Sequence, residues 1–254
     1  MDAFKELVKA AGETIGRYRL ISDGDRILAG LSGGKDSFAM LHVLHHLRAK
    51  APVRFDIIAV TFDPGFPEFN IDGISRYCQE HNWEHQVAKL DIASILAEKN
   101  DTRTPCILCS RLRRGKLYGM ARELKCNKLA LGQHFDDIAA SFLMSFFRGQ
   151  GLTTMGPNVP NQSGDLRIIR PLALADEDII RRYTATLDLP QAGKCHFHDR
   201  LENGDRAFFQ KMVDDLAERI PDLRSQMKHS LSNVQLEYLL DPRFIKESCV
   251  LNND

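Results

Sequence analysis

The stretch RILAGL (26–31) has the character of a buried strand, and it passes into the helical pattern SFAMLHVLHHLRA through little more than SGGKDS. No other part of the chain restricts the fold as much. A strand that feeds a helix through so short a turn opens a βαβ unit, whose helix packs back over a parallel sheet. The glycines allow a tight turn and a close approach to a ligand, and the free N–H groups at the helix start converge on an anion. The guest that fits is a phosphate. Ser32, Gly33, Gly34, Lys35, Asp36 and Ser37 are therefore candidate ligands, with Asp36 and Ser37 expected to face the phosphate. The alternative is a plain turn in which Ser and Asp only cap a helix. The stretch matches neither the P-loop pattern G-x-x-x-x-G-K-[ST] nor the dinucleotide pattern G-x-G-x-x-G.

The alternation continues downstream. RFDIIAVTFD (54–63) precedes a helix around IDGISRYCQEHN, and EHQVAKL is a weaker strand. A long helix is expected from about Cys109 to Lys125, followed by the strand NKLALG and the helix FDDIAASFLMSFFR. This order predicts an α/β fold: a parallel sheet with helices on both faces. Residues 149–165, GQGLTTMGPNVPNQSGD, read as a long loop suited to cover a site. LRIIRPL gives a last strand ended by Pro171, and ADEDIIRRYTATL a helix with acids in its first turn. The expected organisation is an N-terminal helix at 1–20, an α/β domain at 21–195 and a helical extension at 196–254.

Composition excludes several classes. No run approaches the roughly 18 apolar residues of a membrane span, and MDAFKELVKAAGETIGRYRL reads as an amphipathic helix rather than a signal peptide. A cytoplasmic protein with no membrane partner is expected. Lys plus Arg equals Asp plus Glu at 34 each, so any basic surface must be local. From Arg103 to Lys128, Lys and Arg are opposed only by Glu123. That stripe could follow a phosphate backbone or be a solvated helix face. Six cysteines are too few for a disulfide scaffold of this size, and Cys106-x-x-Cys109 points to metal or redox chemistry. Arg111, Arg113 and Arg114 favour their thiolate forms, which are soft ligands for iron or zinc. Zinc completed by Cys195 and His198 is one alternative and a thioredoxin-like redox pair another. Cys78, Cys126 and Cys249 lie in ordinary contexts.

SGGKDS resembles the pyrophosphate loop (PP-loop) of ATP pyrophosphatases. Together with DPGFPE, C-x-x-C-S-x-L-R-R, GQHFDDI, IIRPLA and the later Cys195, it makes the chain similar to the tRNA 2-thiocytidine synthetase family across roughly residues 25–195. The resemblance implies an adenine nucleotide alpha hydrolase-like fold and an ATP-dependent sulfurtransferase acting on tRNA. It also implies a [4Fe-4S] cluster held by Cys106, Cys109 and Cys195. The chain departs from the family at His198, where a fourth cysteine is usual. It departs again at Gln133 and Phe135, where a His and an Arg are usual, with the loss of one positive charge.

The implied chemistry places ATP phosphates on residues 32–37. Adenine would lie against the strand ends near Ala29 and Thr61, the crevice of a parallel sheet, and Gly132 joins the nucleotide-binding set. Mg²⁺ would balance the phosphates, with Asp36 as first carboxylate and Asp136 or Asp137 as second. The plain alternative for that aspartate pair is a helix cap. A nucleobase carbonyl oxygen, expected at cytidine C2, attacks the α-phosphorus, pyrophosphate leaves, and sulfide then displaces AMP. The sulfur would come from a donor such as a cysteine desulfurase system. The sequence is compatible with a homodimer but does not specify one. A sulfurtransferase or ligase acting on a small molecule or protein is the rival reading, and a non-catalytic ATP-binding module a third.

Overall fold

The structure is a computed structural model that describes residues 2–66, 68–90, 95, 105–193 and 204–244. Helix α1 (Ala3–Arg17) precedes strand β1 (Asp25–Gly30), α2 (Lys35–Arg48), β2 (Phe55–Asp63), α3 (Ile71–Glu80) and β3 (His85–Lys89). Then come α4 (Pro105–Glu123), β4 (Lys128–Ala130), α5 (Phe135–Phe147), β5 (Asn158–Pro160), β6 (Arg167–Ile169), α6 (Glu177–Thr184), α7 (Asp205–Ala217) and α8 (Leu223–Ser232).

The strands form a six-stranded sheet in the order β3-β2-β1-β4-β6-β5. β1 lies parallel to β2 and β4, with Ala29 opposite Ala59 and Ala130. Chain order runs outward from β1 to β3 on one side, and the parallel strands β4 and β6 follow on the other, with β5 outside them. The sheet's switch point is thus the crevice beyond the carboxyl ends of β1 and β4. β5 is antiparallel to β6, pairing Val159 with Ile168. This short edge strand lies inside the segment that sequence pattern reads wholly as loop.

Successive residues of each strand face opposite layers. Ile27, Ala29, Ile57, Ala59, Ala130 and Ile169 pack with α1, α2, α3 and α6 in the main core. Leu28, Ile58, Val60, Leu129 and Ile168 pack with Leu117, Met120 and Ala121 of α4. Helices therefore cover both faces, as the near-continuous apolar strands require. Leu7 and Ala11 of α1 are fully buried in the main core, so the N-terminal helix is part of that layer. Val213 of α7 packs on Phe135 and Ala139 of α5, with Met227 and Leu231 of α8 beside them. Among the described residues no helix is long and apolar enough to cross a membrane.

Candidate active site

The SGGKDS stretch sits at the carboxyl end of β1. Gly33 has φ +83° and Gly34 is the N-cap of α2, so Lys35, Asp36 and Ser37 already form the first helical turn. Ser32 N–H donates to Ser37 Oγ at 3.2 Å, and Ser37 Oγ donates to Gly34 O at 2.8 Å. Ser37 is thereby turned inward, 5% exposed, and fixes the loop's curvature, where sequence alone suggests a side chain facing ligand. Lys35 Nζ lies 3.1 Å from Asp36 Oδ1 and 2.9 Å from Glu177 Oε1. Burial works against its ammonium, but these two carboxylates outweigh it and raise its pKa. Asp36 Oδ1 is buried and has Lys35 Nζ as its ion partner, without an aligned hydrogen bond.

Gly132, after β4, explains the tightness of the switch point. A Cβ there would lie 2.9 Å from the Asp36 carbonyl oxygen, so the β4–α5 turn touches the backbone at the start of α2. His134 is the N-cap of α5 and 3% exposed. Its Nε2 lies 3.9 Å from Asp36 Oδ1 and 3.6 Å from Asp137 Oδ2. Burial opposes its charge, yet Asp136, Asp137 and Asp36 together raise its pKa. The two aspartates of DDI separate in role. Asp136 accepts from Glu177 N–H at 2.8 Å and from Arg224 Nε of α8 at 2.5 Å, so both its oxygens are engaged by the protein. Burial would raise its pKa, but contacts with His134, Glu177 N–H and Arg224 hold it well below the usual carboxylate range. Asp137 Oδ2 accepts from His134 N–H at 3.3 Å and faces His134 alongside Asp36.

A cleft of about 930 Å³ opens over the loop, between Ser32–Lys35, Pro64 and Phe66 on one side and Leu187–Gly193 on the other. A Cβ at Gly193 would lie 2.0 Å from the Glu68 carbonyl oxygen, and one at Gly33 2.5 Å from Ala192 Cβ. A smaller recess of about 120 Å³ adjoins it, walled by Gly30, Val60, Phe62, Leu117 and Leu131. Ala29 and Thr61, expected near adenine, are both fully buried, and Thr61 Oγ1 is bonded to His85 Nε2 at 2.9 Å. Ala29 faces the α1–α2 layer, and the residues next to these two, Gly30, Val60 and Phe62, line the recess.

Arg113 of α4 borders both spaces. Cys109 lies one turn before it, on the same helical face, and is half-buried. Cys106 is in the first turn of α4, with its side chain outside the described residues. Cys195 and His198 also lie outside them, as does Cys249. Among the described residues no group of three or more His, Cys, Asp or Glu could hold a metal ion. Cys78 and Cys126 are buried; burial pushes the Cys78 thiol up to about 11. The basic stripe divides. Lys128 is buried near Asp25 and Arg122 pairs with Asp165, while Arg111, Arg114 and Lys116 are exposed.

His134 and Arg170 are the site residues that sequence reasoning did not single out. His134 stands inside GQHFDDI, two residues before the acidic pair. Arg170 Nε donates to Gln133 Oε1 at 3.0 Å, so the Gln at a usual His position anchors the arginine that follows β6. Phe135, at a usual Arg position, is buried between α5 and α7 with Lys228 Nζ 4.8 Å from its ring centre.

A glycine-rich loop at the head of α2, set at the switch point of a largely parallel sheet, defines a PP-loop protein, and the PP-loop domain family matches residues 4–193. The tRNA-cytidine(32) 2-sulfurtransferase of Syntrophotalea carbinolica is 38% identical over 239 residues, covering 94% of this chain and 92% of its own. That of Deinococcus radiodurans is 38% identical over 236 residues, covering 92% and 79%. The chain therefore belongs to the PP-loop tRNA 2-sulfurtransferase family and is a transferase. In fold it is similar to the U34-tRNA thiolase NcsA from Methanococcus maripaludis, solved with its [4Fe-4S] cluster. The TM-score is 0.70 at 23% identity, over 92% of this chain and 80% of that one.

Proposed function

We propose that the protein thiolates a cytidine of tRNA at C2 in two stages, adenylation by ATP and displacement of AMP by sulfide. The observation that carries this reading is the shared cleft: the phosphate loop forms one wall, and Arg113, one turn from Cys109, borders it from α4. The loop amides and the positive end of α2 receive the phosphates. Asp36, whose Oδ1 is buried beside Lys35 Nζ, would hold a Mg²⁺ that balances those phosphates, with Asp137 as second carboxylate. Asp136, its oxygens already engaged, holds His134 and the start of α6 in place. Adenine takes the recess beside Gly30 and Val60, at the end of β1 and β2.

The donor set fits a cluster. Cys106 and Cys109 stand three apart in the first turns of α4, Cys109 one turn before Arg113, and in sequence Cys195 follows Gly193, a cleft residue, by two positions. Cys106, Cys109 and Cys195 would hold such a cluster by three thiolates, and it would supply an iron able to carry sulfide. The protein's own part is to fix geometry. The loop holds the leaving pyrophosphate, and the carbonyl oxygen at C2 forms its bond to the α-phosphorus as the bond to pyrophosphate breaks. Sulfide then adds at C2, and AMP departs with the former carbonyl oxygen. The sulfur comes from an external donor such as a cysteine desulfurase system, whose persulfide is released as sulfide by a two-electron thiol reductant.

Anaerobically prepared protein incubated with ATP, tRNA and sulfide should yield pyrophosphate, AMP and 2-thiocytidine in digested tRNA. It should carry about four irons per chain. Iron should be lost in Cys106→Ala, Cys109→Ala and Cys195→Ala, and kept in Cys78→Ala, Cys126→Ala and His198→Ala. Release of ADP and phosphate would sink the adenylation scheme. Stoichiometric zinc that vanishes with His198→Ala would replace the cluster by a zinc site.

A further inference from the structure

We propose that Arg170 and Arg206 form the seat for a backbone phosphate of the target nucleotide, on the β4–β6 side of the switch point. The inference rests on the tRNA sulfurtransferase reading and assigns it a contact. Arg170 follows β6 and is only 8% exposed, yet makes no ion pair among the described residues. Its Nε is held by Gln133 Oε1 at 3.0 Å and its Nη1 by Gly156 O at 2.6 Å, while Nη2 donates to no described group. A cation taken so far out of water without a carboxylate costs free energy unless an anion completes it.

The neighbouring charges reinforce the demand. Arg206 of α7 reaches the same loop, with Nη2 3.6 Å from Met155 Sδ, next to the Gly156 carbonyl that holds Arg170. Its Nε is 3.9 Å from Asp137 Oδ1, and its side chain is 51% exposed. Burial lowers the Arg170 pKa; the like charges of Arg114 and Arg206 add to this, against Tyr118 and Asp137. Arginines thus converge around Asp137 as the near carboxylate, which leaves net positive charge at a partly enclosed spot. A guanidinium fixed at two nitrogens presents its remaining N–H groups in a preset fork, the geometry that suits a phosphate.

Two phosphates could be meant: one of ATP, or a phosphodiester of the RNA. Position favours the RNA. The loop lies at β1 and the recess between β1 and β2, whereas Arg170 stands beyond β4, at the end of β6 and two strands away from β1. A base drawn out of its stack needs its flanking backbone held, and arginine on phosphate is the common means.

The test compares tRNA and ATP binding by the full-length protein with Arg206→Ala and Arg170→Lys. Arg206→Ala, half-exposed, serves even if Arg170→Lys folds poorly. Each should weaken tRNA roughly tenfold, as for one charge-assisted hydrogen bond. Arg206→Ala should also make the plot of log affinity against log salt less steep by about one. ATP affinity should stay at the wild-type value. The decisive arm uses an RNA stem-loop in which the phosphates flanking the target cytidine are replaced singly by neutral methylphosphonates. One replacement should cost wild type its advantage over Arg206→Ala. An unchanged salt slope, an equal loss of ATP affinity, or an advantage that survives every replacement would overturn the proposal. Wild-type protein that binds no tRNA at all would overturn the underlying reading and this inference with it.

Discussion

A methyl group at position 132 would lie 2.9 Å from the Asp36 carbonyl oxygen and 3.1 Å from Ser37 Cα, both backbone atoms of the first turn of α2. Neither can swing aside as a flexible side chain would, so Gly132→Ala must push α2 away from β4. We expect a loss of about 1–3 kcal/mol, typical of overpacking, and a larger proportional loss of ATP affinity. Thermal melting and ATP titration on one preparation would separate the two effects. Arg224→Ala acts by subtraction. It leaves Asp136, buried in the site, without its guanidinium, although the Glu177 N–H remains. Because Arg224 is 28% exposed, we expect roughly 2 kcal/mol of destabilisation, less than the cost of stripping a fully buried pair. The phosphate loop was legible from six residues because its geometry is local. The split between Asp136 and Asp137 was not, since it depends on Arg224, 88 residues from Asp136.

At the scale of elements, apolar runs marked β1, β2, β4 and β6, because a strand buried on both faces writes itself as a continuous run, while the edge strand β3, with only Ala88 buried, gave a weaker pattern. β5 escaped for a physical reason. Asn158, Val159 and Pro160 have no β pattern of their own, and the strand exists through its pairing with β6 and through Asn158 Nδ2, which donates to the Tyr18 and Arg19 carbonyls. The junction of α2 with α3 makes a different prediction. His45 stacks on Trp83 at 4.9 Å, and His42 meets Tyr77, His81 and Trp83, with Nε2 2.9 Å from Tyr77 Oη. Burial, aided by His81 and His45 around His42 and by Arg48 and His81 around His45, pulls both imidazoles down to about 4. Their unfolded values are near 6.5, so between 6.5 and about 4 the unfolded chain binds more protons. Their contribution is therefore complete above pH 6.5 and is lost as pH falls towards 4. Melting temperatures taken across that interval should fall, and fall less steeply in His45→Phe, which keeps a ring on Trp83 and removes one titration. An identical slope in the variant would exclude His45 as a source.

Across the whole molecule, the helices beyond the PP-loop match are tied to its site by charge. Arg224 reaches Asp136, and Lys228 Nζ reaches Asp176 Oδ1 at 2.7 Å. Truncation before α7 should therefore impair ATP binding as well as stability, which ATP titration of any soluble truncate would show. The sequence places a boundary at residue 195 from the span of its motifs and the helical pattern beyond them, and neither carries a trace of ion pairs formed across it. The contact between Gly33 and Ala192, with Gly193 pressed on the Glu68 carbonyl, bears on how such a site could be moved or rebuilt. Two chain segments distant in sequence touch there at a spacing that admits no side chain, so the loop and the strip above it are complementary halves of one mould. A designer who grafted the SGGKDS turn and its flanking strand and helix onto another sheet would copy only one half. The transplant would keep its amides but lose the wall that shapes the cavity in front of them, unless residues 187–193 travelled with it.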